Sequence, residues 1–213
     1  MIAKLDELTV VTAAQWLAGQ DASLALVLEK YGPPPLWARP ADFSTLVHII
    51  LEQQVSLASA NAAFQKLREK VGIVTPESLL GLDDAALRDL GFSRQKMLYT
   101  RLLAQAVASG DLNLAALEHL PDADVSSRLK RLKGIGDWTA DIYLSECLLR
   151  TDILPKGDIA MQEAFRVLHG LEKRISVHSD FEARTAHWRP WRSVGTRMLW
   201  HFYLCERGRG VTG

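Results

Sequence analysis

The sequence predicts an all-α protein built as two helical subdomains flanking a cleft. Three observations predict it: apolar side chains recur at helical spacing along most of the chain, no comparable alternation argues for strands, and helix start and stop signals punctuate the sequence. The first strong break is Tyr31-Gly32-Pro33-Pro34-Pro35, where successive pyrrolidine rings fix the backbone and remove donors. Phe43, Leu46, Val47, Ile50, Leu51 and Gln54 then recur at helical spacing. After a break at Gly72, Thr75-Pro76-Glu77-Ser78 offers a cap, a first-turn proline and an acidic first turn. Asp83 opens a short helix and Gly91 interrupts the chain. Leu98, Leu102, Leu103, Ala106 and Val107 form a further helical stripe, with Gly110 and Pro121 as the next stop and start. The last breaks are Leu154-Pro155-Lys156-Gly157 and Gly170. The triple proline and the Pro155 loop are the expected crossings between subdomains. One subdomain then covers residues 41–150, and the second combines 1–40 with 151–213. No repeat of solenoid length and no low-complexity tract is present.

A chain of 213 residues with 48% hydrophobic side chains can bury a sizeable core. Lys plus Arg and Asp plus Glu number 25 each, so the formal net charge is zero and any surface for a polyanion must be local. Two cysteines, Cys147 and Cys205, sit in apolar helical contexts without metal-ligand spacing, which reads as free thiols in a reducing compartment. The N-terminus lacks the apolar run of a secretion signal, and no stretch is long and apolar enough for a membrane span. The expectation is a cytoplasmic, monomeric protein without a membrane partner. The histidines show no paired spacing with carboxylates that would suggest a catalytic metal.

The most informative stretch runs from Leu129 to Ala140, between a helical run ending near Lys130 and another from Asp137 through Leu149. Gly134 and Gly136 can take backbone angles denied to other residues, Ile135 can plug the junction, and Asp137 suits the following helix N-terminus. The result is a tight hairpin between two helices. Backbone N–H groups at the second helix favour an anion, and Lys130, Arg131 and Lys133 add positive charge, a combination suited to a phosphate. Ser93-Arg94-Gln95-Lys96, opening another helix, makes Arg94 a second candidate phosphate contact. Asp158 follows a Pro-Lys-Gly loop and precedes an apolar helix, the position of an N-cap.

Leu-x-Gly-Ile-Gly-x-Trp-Thr-Ala, from Leu132 to Ala140, resembles the hairpin of the helix-hairpin-helix base-excision DNA glycosylases, particularly the bacterial 3-methyladenine DNA glycosylase II family. Three further segments match in order: Ile50-Leu51-Glu52-Gln53-Gln54-Val55-Ser56, Ile153 to Gln162, and Trp188-Arg189-Pro190-Trp191-Arg192-Ser193. The resemblance spans Ala41 to Glu206, and the chain has no room for the β-rich N-terminal domain of the longer members.

The resemblance implies a glycosylase whose catalytic carboxylate is Asp158, carried by the loop of the second subdomain. Its expected partner is double-stranded DNA with damaged bases, at the bacterial nucleoid. It would flip out alkylated purines of the 3-methyladenine and 7-methylguanine type and leave an abasic site. Bifunctional members place a nucleophilic lysine where Trp138 stands, so no lyase activity is expected, and two cysteines cannot build the four-cysteine iron–sulfur cluster of other branches. Trp138, Trp191 and Tyr143 are candidates for the base pocket, while Trp16, Trp37, Trp188 and Trp200 read as packing. Gln53 or Gln54 falls at the wedge position that fills the gap left by the flipped base, although both could equally cap helix ends. Lys130, Lys133, Gly134, Ile135 and Gly136 are the expected hairpin contacts to DNA. The backbone carbonyls of Lys130, Leu132 and Ile135 would hold a structural Na or K ion, with no cofactor for the reaction itself. Asp152 reads as a solvated loop residue. The rival from another class is a non-catalytic helix-hairpin-helix DNA-binding module.

Overall fold

The structure, a computed structural model, describes residues 4–208. Among these residues the regular structure is helical, and Lys4 and Arg150 form an isolated antiparallel bridge. The elements are α1 (Glu7–Gln20), α2 (Ala22–Tyr31), α3 (Phe43–Glu52), α4 (Leu57–Val71), α5 (Pro76–Leu80), α6 (Asp84–Asp89), α7 (Arg94–Ala108), α8 (Leu114–Leu117), α9 (Asp122–Lys130) and α10 (Asp137–Ile142). A π-helical segment, Tyr143–Cys147, extends α10; α11 (Ile159–Leu168), α12 (His178–Arg184), a 3-10 turn at Ala186–Trp188 and α13 (Arg192–Glu206) complete the chain. No helix among the described residues is long and apolar enough to cross a membrane.

Two compact units emerge. A central unit is Arg39–Cys147, and a terminal unit joins the chain up to Ala38 with the chain from Leu148 onward. The crossings thus fall at 38/39 and 147/148, two or three residues before the expected 40/41 and 150/151. The Pro155 loop is not a crossing, because it lies inside the terminal unit.

In the central unit α3 packs against α4, α7 and α10. Leu46, Val47, Ile49, Ile50 and Leu51 are at most 1% exposed, so this helix is apolar all round and central. Its start is fixed by Asp42, which accepts from Thr45 N–H at 2.8 Å. It ends at Glu52, earlier than a stripe reaching Gln54 implied, because Gln54 adopts φ 58° in the turn before α4. Thr75 and Ser78 form a reciprocal capping box at α5, and Asp83 caps α6, as their residue types lead one to expect. Arg39 bridges two buried carboxylates, with Nη2 2.9 Å from Glu52 and Nε 2.7 Å from Glu146. Burial opposes the charge on Arg39, but Glu146 and Glu52 outweigh it and raise the guanidinium's pKa. Glu146 belongs to the π-helical segment, where an uninterrupted α-helix to Leu149 had been expected.

In the terminal unit α13 packs on α11, α2 and α1 around Leu17, Leu24, Phe165, Phe181, Trp188 and Met198. Trp188 is fully buried, and a Cβ on Gly195 would come within 2.5 Å of its ring, so glycine is what lets α13 approach. Asp21 joins the pieces: it caps α2 and accepts from Trp188 Nε1 at 2.9 Å and His187 Nε2 at 3.2 Å. Burial pushes the Asp21 carboxyl up, but these donors, Trp188 foremost, outweigh it and lower its pKa. Both cysteines are free thiols, and burial pushes both pKa values up.

Candidate functional site

The hairpin lies in the central unit. α9 ends at Lys130 and α10 begins at Asp137, with Gly136 as its N-cap and no side-chain cap. Gly134 has φ 101°, and a Cβ there would sit 2.1 Å from Cγ of Tyr99, so conformation and space both demand glycine. Gly136 corrects the sequence reading: its φ of −98° is open to any residue and a Cβ would meet nothing within 4 Å. What it contributes is a bare, exposed backbone at the start of α10. Ile135 is 5% exposed and plugs the junction as anticipated.

The cations around the hairpin divide. Lys130 Nζ lies 2.7 Å from Asp137 Oδ1, both side chains roughly two-fifths exposed, so this lysine ties the two arms together. Lys133 and Arg131 are exposed. At the start of α7 Arg94 is exposed, whereas Lys96 turns inward and donates to the Leu51 carbonyl near the end of α3. Burial lowers the Lys96 pKa, and its position suits the negative end of α3.

The two glutamines separate as well. Gln53 Nε2 donates to the Gly134 carbonyl and to Thr139 Oγ1, both at 2.9 Å, bracing the hairpin from the end of α3. Gln54 is exposed in left-handed backbone, followed by exposed Val55 and Leu57. Gln53 is thus a bracing residue, and of the two only Gln54 presents its side chain to solvent. Trp138 is half-buried in the first turn of α10. Tyr143, in contrast, is 0% exposed and its buried hydroxyl has no hydrogen-bond partner, so it offers no surface to a substrate; burial raises its pKa. His48 lies 3.7 Å from Glu52 and stacks on Phe64, a packing role. Among the described residues no three His, Cys, Asp or Glu side chains group as metal ligands.

Asp158 lies in the terminal unit as the N-cap of α11, 7% exposed. Its Oδ1 accepts from Met161 N–H at 2.8 Å and from Trp200 Nε1 at 3.1 Å. Both partners are donors only, so the carboxylate is oriented by the start of one helix and by an indole from another. The approach loop is fixed by α13: Ser193 N–H donates to the Thr151 carbonyl at 3.0 Å, and Ser193 Oγ accepts from Ile153 N–H at 2.9 Å. Asp152 is no solvated bystander. It takes a bidentate contact from Arg192 at 2.7 and 3.0 Å and a further one from Arg189 at 3.0 Å.

The indole beside Asp158 is that of Trp200, which residue types alone assigned to packing. Trp191 stands nine residues earlier, at the N-cap of α13, about 13 Å away along a helix axis, and packs against the terminal core. Trp37 packs edge to face on Trp200, centroids 6.4 Å apart. Its φ of 48° is costly for a bulky side chain, about 1–3 kcal/mol. The signals for these two lay in the spacing of Trp200 along α13 and in the triple proline before Trp37; neither is local enough to be decisive.

A family model described as HhH-GPD superfamily base excision DNA repair protein matches residues 47–193. The chain belongs to that superfamily. The matched part of this HhH-GPD chain includes Gln53, Gln54, the hairpin and Asp158, and leaves Trp37 and Trp200 outside. The putative DNA-3-methyladenine glycosylase YfjP of Bacillus subtilis is 29% identical, over 84% of this chain and 64% of its own length, so the chain spans just under two thirds of that relative. DNA-3-methyladenine glycosylase 1 of Schizosaccharomyces pombe is 28% identical, over 92% of this chain and 90% of that protein. Among solved structures, a DNA-3-methyladenine glycosidase from Bacillus halodurans superposes with a TM-score of 0.74 at 29% identity, covering 98% of this chain and 94% of that one. The S. pombe 3-methyladenine DNA glycosylase in complex with abasic DNA gives 0.80 at 24% identity, covering 92% and 97%, a likeness of fold.

Proposed function

We propose that this chain is an enzyme of the DNA-3-methyladenine glycosylase type, which hydrolyses the N-glycosidic bond of alkylated purines in duplex DNA and leaves an abasic site. The observation that carries the reading is the Asp158 carboxylate, nearly buried and oriented by the Met161 N–H and the Trp200 indole N–H. As the base departs, positive charge develops on the deoxyribose, and a fixed carboxylate stabilises it. At about 4 Å and an effective dielectric near 20 this attraction is about 4 kcal/mol, or roughly a thousand-fold in rate. An alkylated purine is already cationic, so it leaves readily and is attracted to indole faces. Trp200 is the candidate indole beside Asp158.

The hairpin grips the phosphate backbone through the bare N–H groups at Gly136 and α10, with Lys133, Arg131 and Arg94 as the exposed cations. Gln54 fills the space of the flipped nucleotide. A Na or K ion held by the carbonyls of Lys130, Leu132 and Ile135 belongs to the same reading. The Leu132 carbonyl already accepts from Ile135 N–H at 3.1 Å, and its second lone pair would suit a monovalent cation, which would supply positive charge for a phosphate. Trp138 supplies no amine for a Schiff base, so the strand is not nicked.

The test is release of free base from methylated duplex DNA, followed by chromatography. The reading expects a methylated purine and an intact abasic strand. Tight binding of the duplex with no base released would favour a non-catalytic DNA-binding module.

A further inference from the structure

Gln162 stands one helical turn after Asp158 and is the one polar residue among the buried positions of α11, beside Met161, Ala164 and Phe165. Its backbone N–H donates to the Asp158 carbonyl at 3.0 Å, so the two residues are four apart in one helical register. Side chains at that spacing share a face. Helical side chains lean toward the N-terminus, which carries the Gln162 amide back over the first turn. The Asp158 carboxylate folds onto the same turn, where it accepts from Met161 N–H at 2.8 Å. The apolar neighbours on α11 have packing partners: Met161 Sδ accepts from Thr196 Oγ1 at 3.6 Å, and Phe165 packs on Phe181. The Gln162 side chain, in contrast, is only 8% exposed and has no hydrogen-bond partner among the described residues. Nearly buried amides pair with protein, with ordered water or with a ligand, because leaving them unpaired is costly. An apolar side chain of that length would fill the position without this cost.

We propose that Gln162 is a further catalytic residue, whose side-chain amide holds, together with the Asp158 carboxylate, the water that attacks the sugar. The proposal rests on the glycosylase reading. A carboxylate can only accept, whereas an amide offers both an acceptor and donors, so the pair can fix a water in one orientation with a lone pair left for carbon. In the reaction the C1′–N bond breaks and its electron pair leaves with the base. The water oxygen bonds to C1′, and one water proton passes to the Asp158 carboxylate. Fixing the water in advance favours it over any other nucleophile that reaches the sugar cation.

The experiment lets methanol compete with water during release of 7-methylguanine from duplex DNA by wild type, Gln162→Met and Gln162→Asn. Capture by water leaves an abasic site that alkali cleaves, and capture by methanol leaves a methyl glycoside that resists alkali, so the resistant fraction of base-free sites reads the partition. Gln162→Met keeps the length of the side chain without its amide and is expected to raise the methanol-to-water ratio about five-fold, the worth of one hydrogen bond. Gln162→Asn keeps an amide on the same face and should fall between Gln162→Met and wild type. Gln162→Met should also unfold no earlier than wild type, since an unpaired amide has been replaced by an apolar chain. A raised ratio supports the inference at any rate of base release. An unchanged ratio overturns it even where release slows, because a residue that only packs does not alter which nucleophile captures the sugar. A wild-type protein that releases no base overturns the glycosylase reading and this one together; active wild type with an unchanged ratio in Gln162→Met overturns this one alone. Should Gln162→Met fail to fold, the ratio for Gln162→Asn decides in the same way: a rise supports the inference and no change overturns it.

Discussion

Asp158, Trp200 and the glutamine pair each carry a claim that a single substitution can test. Trp200→Phe keeps an aromatic ring but removes the N–H on Asp158 Oδ1. A hydrogen bond to a charged group contributes about 1.5–3 kcal/mol, so the base-release rate should fall between about ten- and one-hundred-fold with duplex binding intact. Single-turnover kinetics beside a binding titration would measure both. Gln53 and Gln54 should differ in kind. Gln53→Ala removes two hydrogen bonds within the central unit and should cost about 1–3 kcal/mol in denaturant unfolding. Gln54→Ala, at an exposed turn, should leave stability within about 0.5 kcal/mol and lower base release instead. The sequence could not separate these neighbours, because both are polar residues at a helix end and the partner that distinguishes them, Gly134, is 81 positions away. Trp200 was illegible for the same reason: its role depends on where α13 passes Asp158, not on its neighbours in the chain.

At the scale of elements, the hairpin owes its shape to one glycine more than to two. Gly134→Ala introduces both a clash with Tyr99 and an unfavourable φ, and should destabilise by about 3 kcal/mol in chemical denaturation. Gly136→Ala meets no neighbour and should change unfolding by less than about 1 kcal/mol while weakening DNA binding at its exposed backbone. Helix starts were the most readable part of the chain: Thr75, Asp83, Ser93 and Asp158 cap their helices through local hydrogen bonds that residue type alone announces. Helix interiors and ends were less so. The π-helical widening at Tyr143–Cys147 accompanies burial of Glu146 against Arg39, a long-range pairing with no local signature.

For the molecule as a whole, zero net charge is compatible with the proposed grip on DNA because Arg94, Arg131 and Lys133 are exposed cations. With Lys130 held by Asp137 and Lys96 turned inward, about three remain, so the logarithmic salt dependence of duplex affinity should have a slope near about −3. A much steeper slope would point to phosphate contacts elsewhere on the chain. Acid stability has a separate source. Asp21 has a lowered pKa in the folded protein, so its contribution is fully present above the ordinary aspartate range near pH 4 and is lost as pH falls through the folded value. Thermal melts should therefore show Asp21→Asn less stable than wild type at neutral pH, with the difference shrinking in acid. The all-α class was legible because periodicity and breakers act locally, whereas the return of the chain at 147/148 was displaced from the Pro155 loop because packing, not proline, sets it. The central claim rests on one carboxylate. Release of methylated purines from duplex DNA should be rapid for wild type and about a thousand-fold slower for Asp158→Asn, with duplex affinity unchanged; release by Asp158→Asn at the wild-type rate would contradict the account.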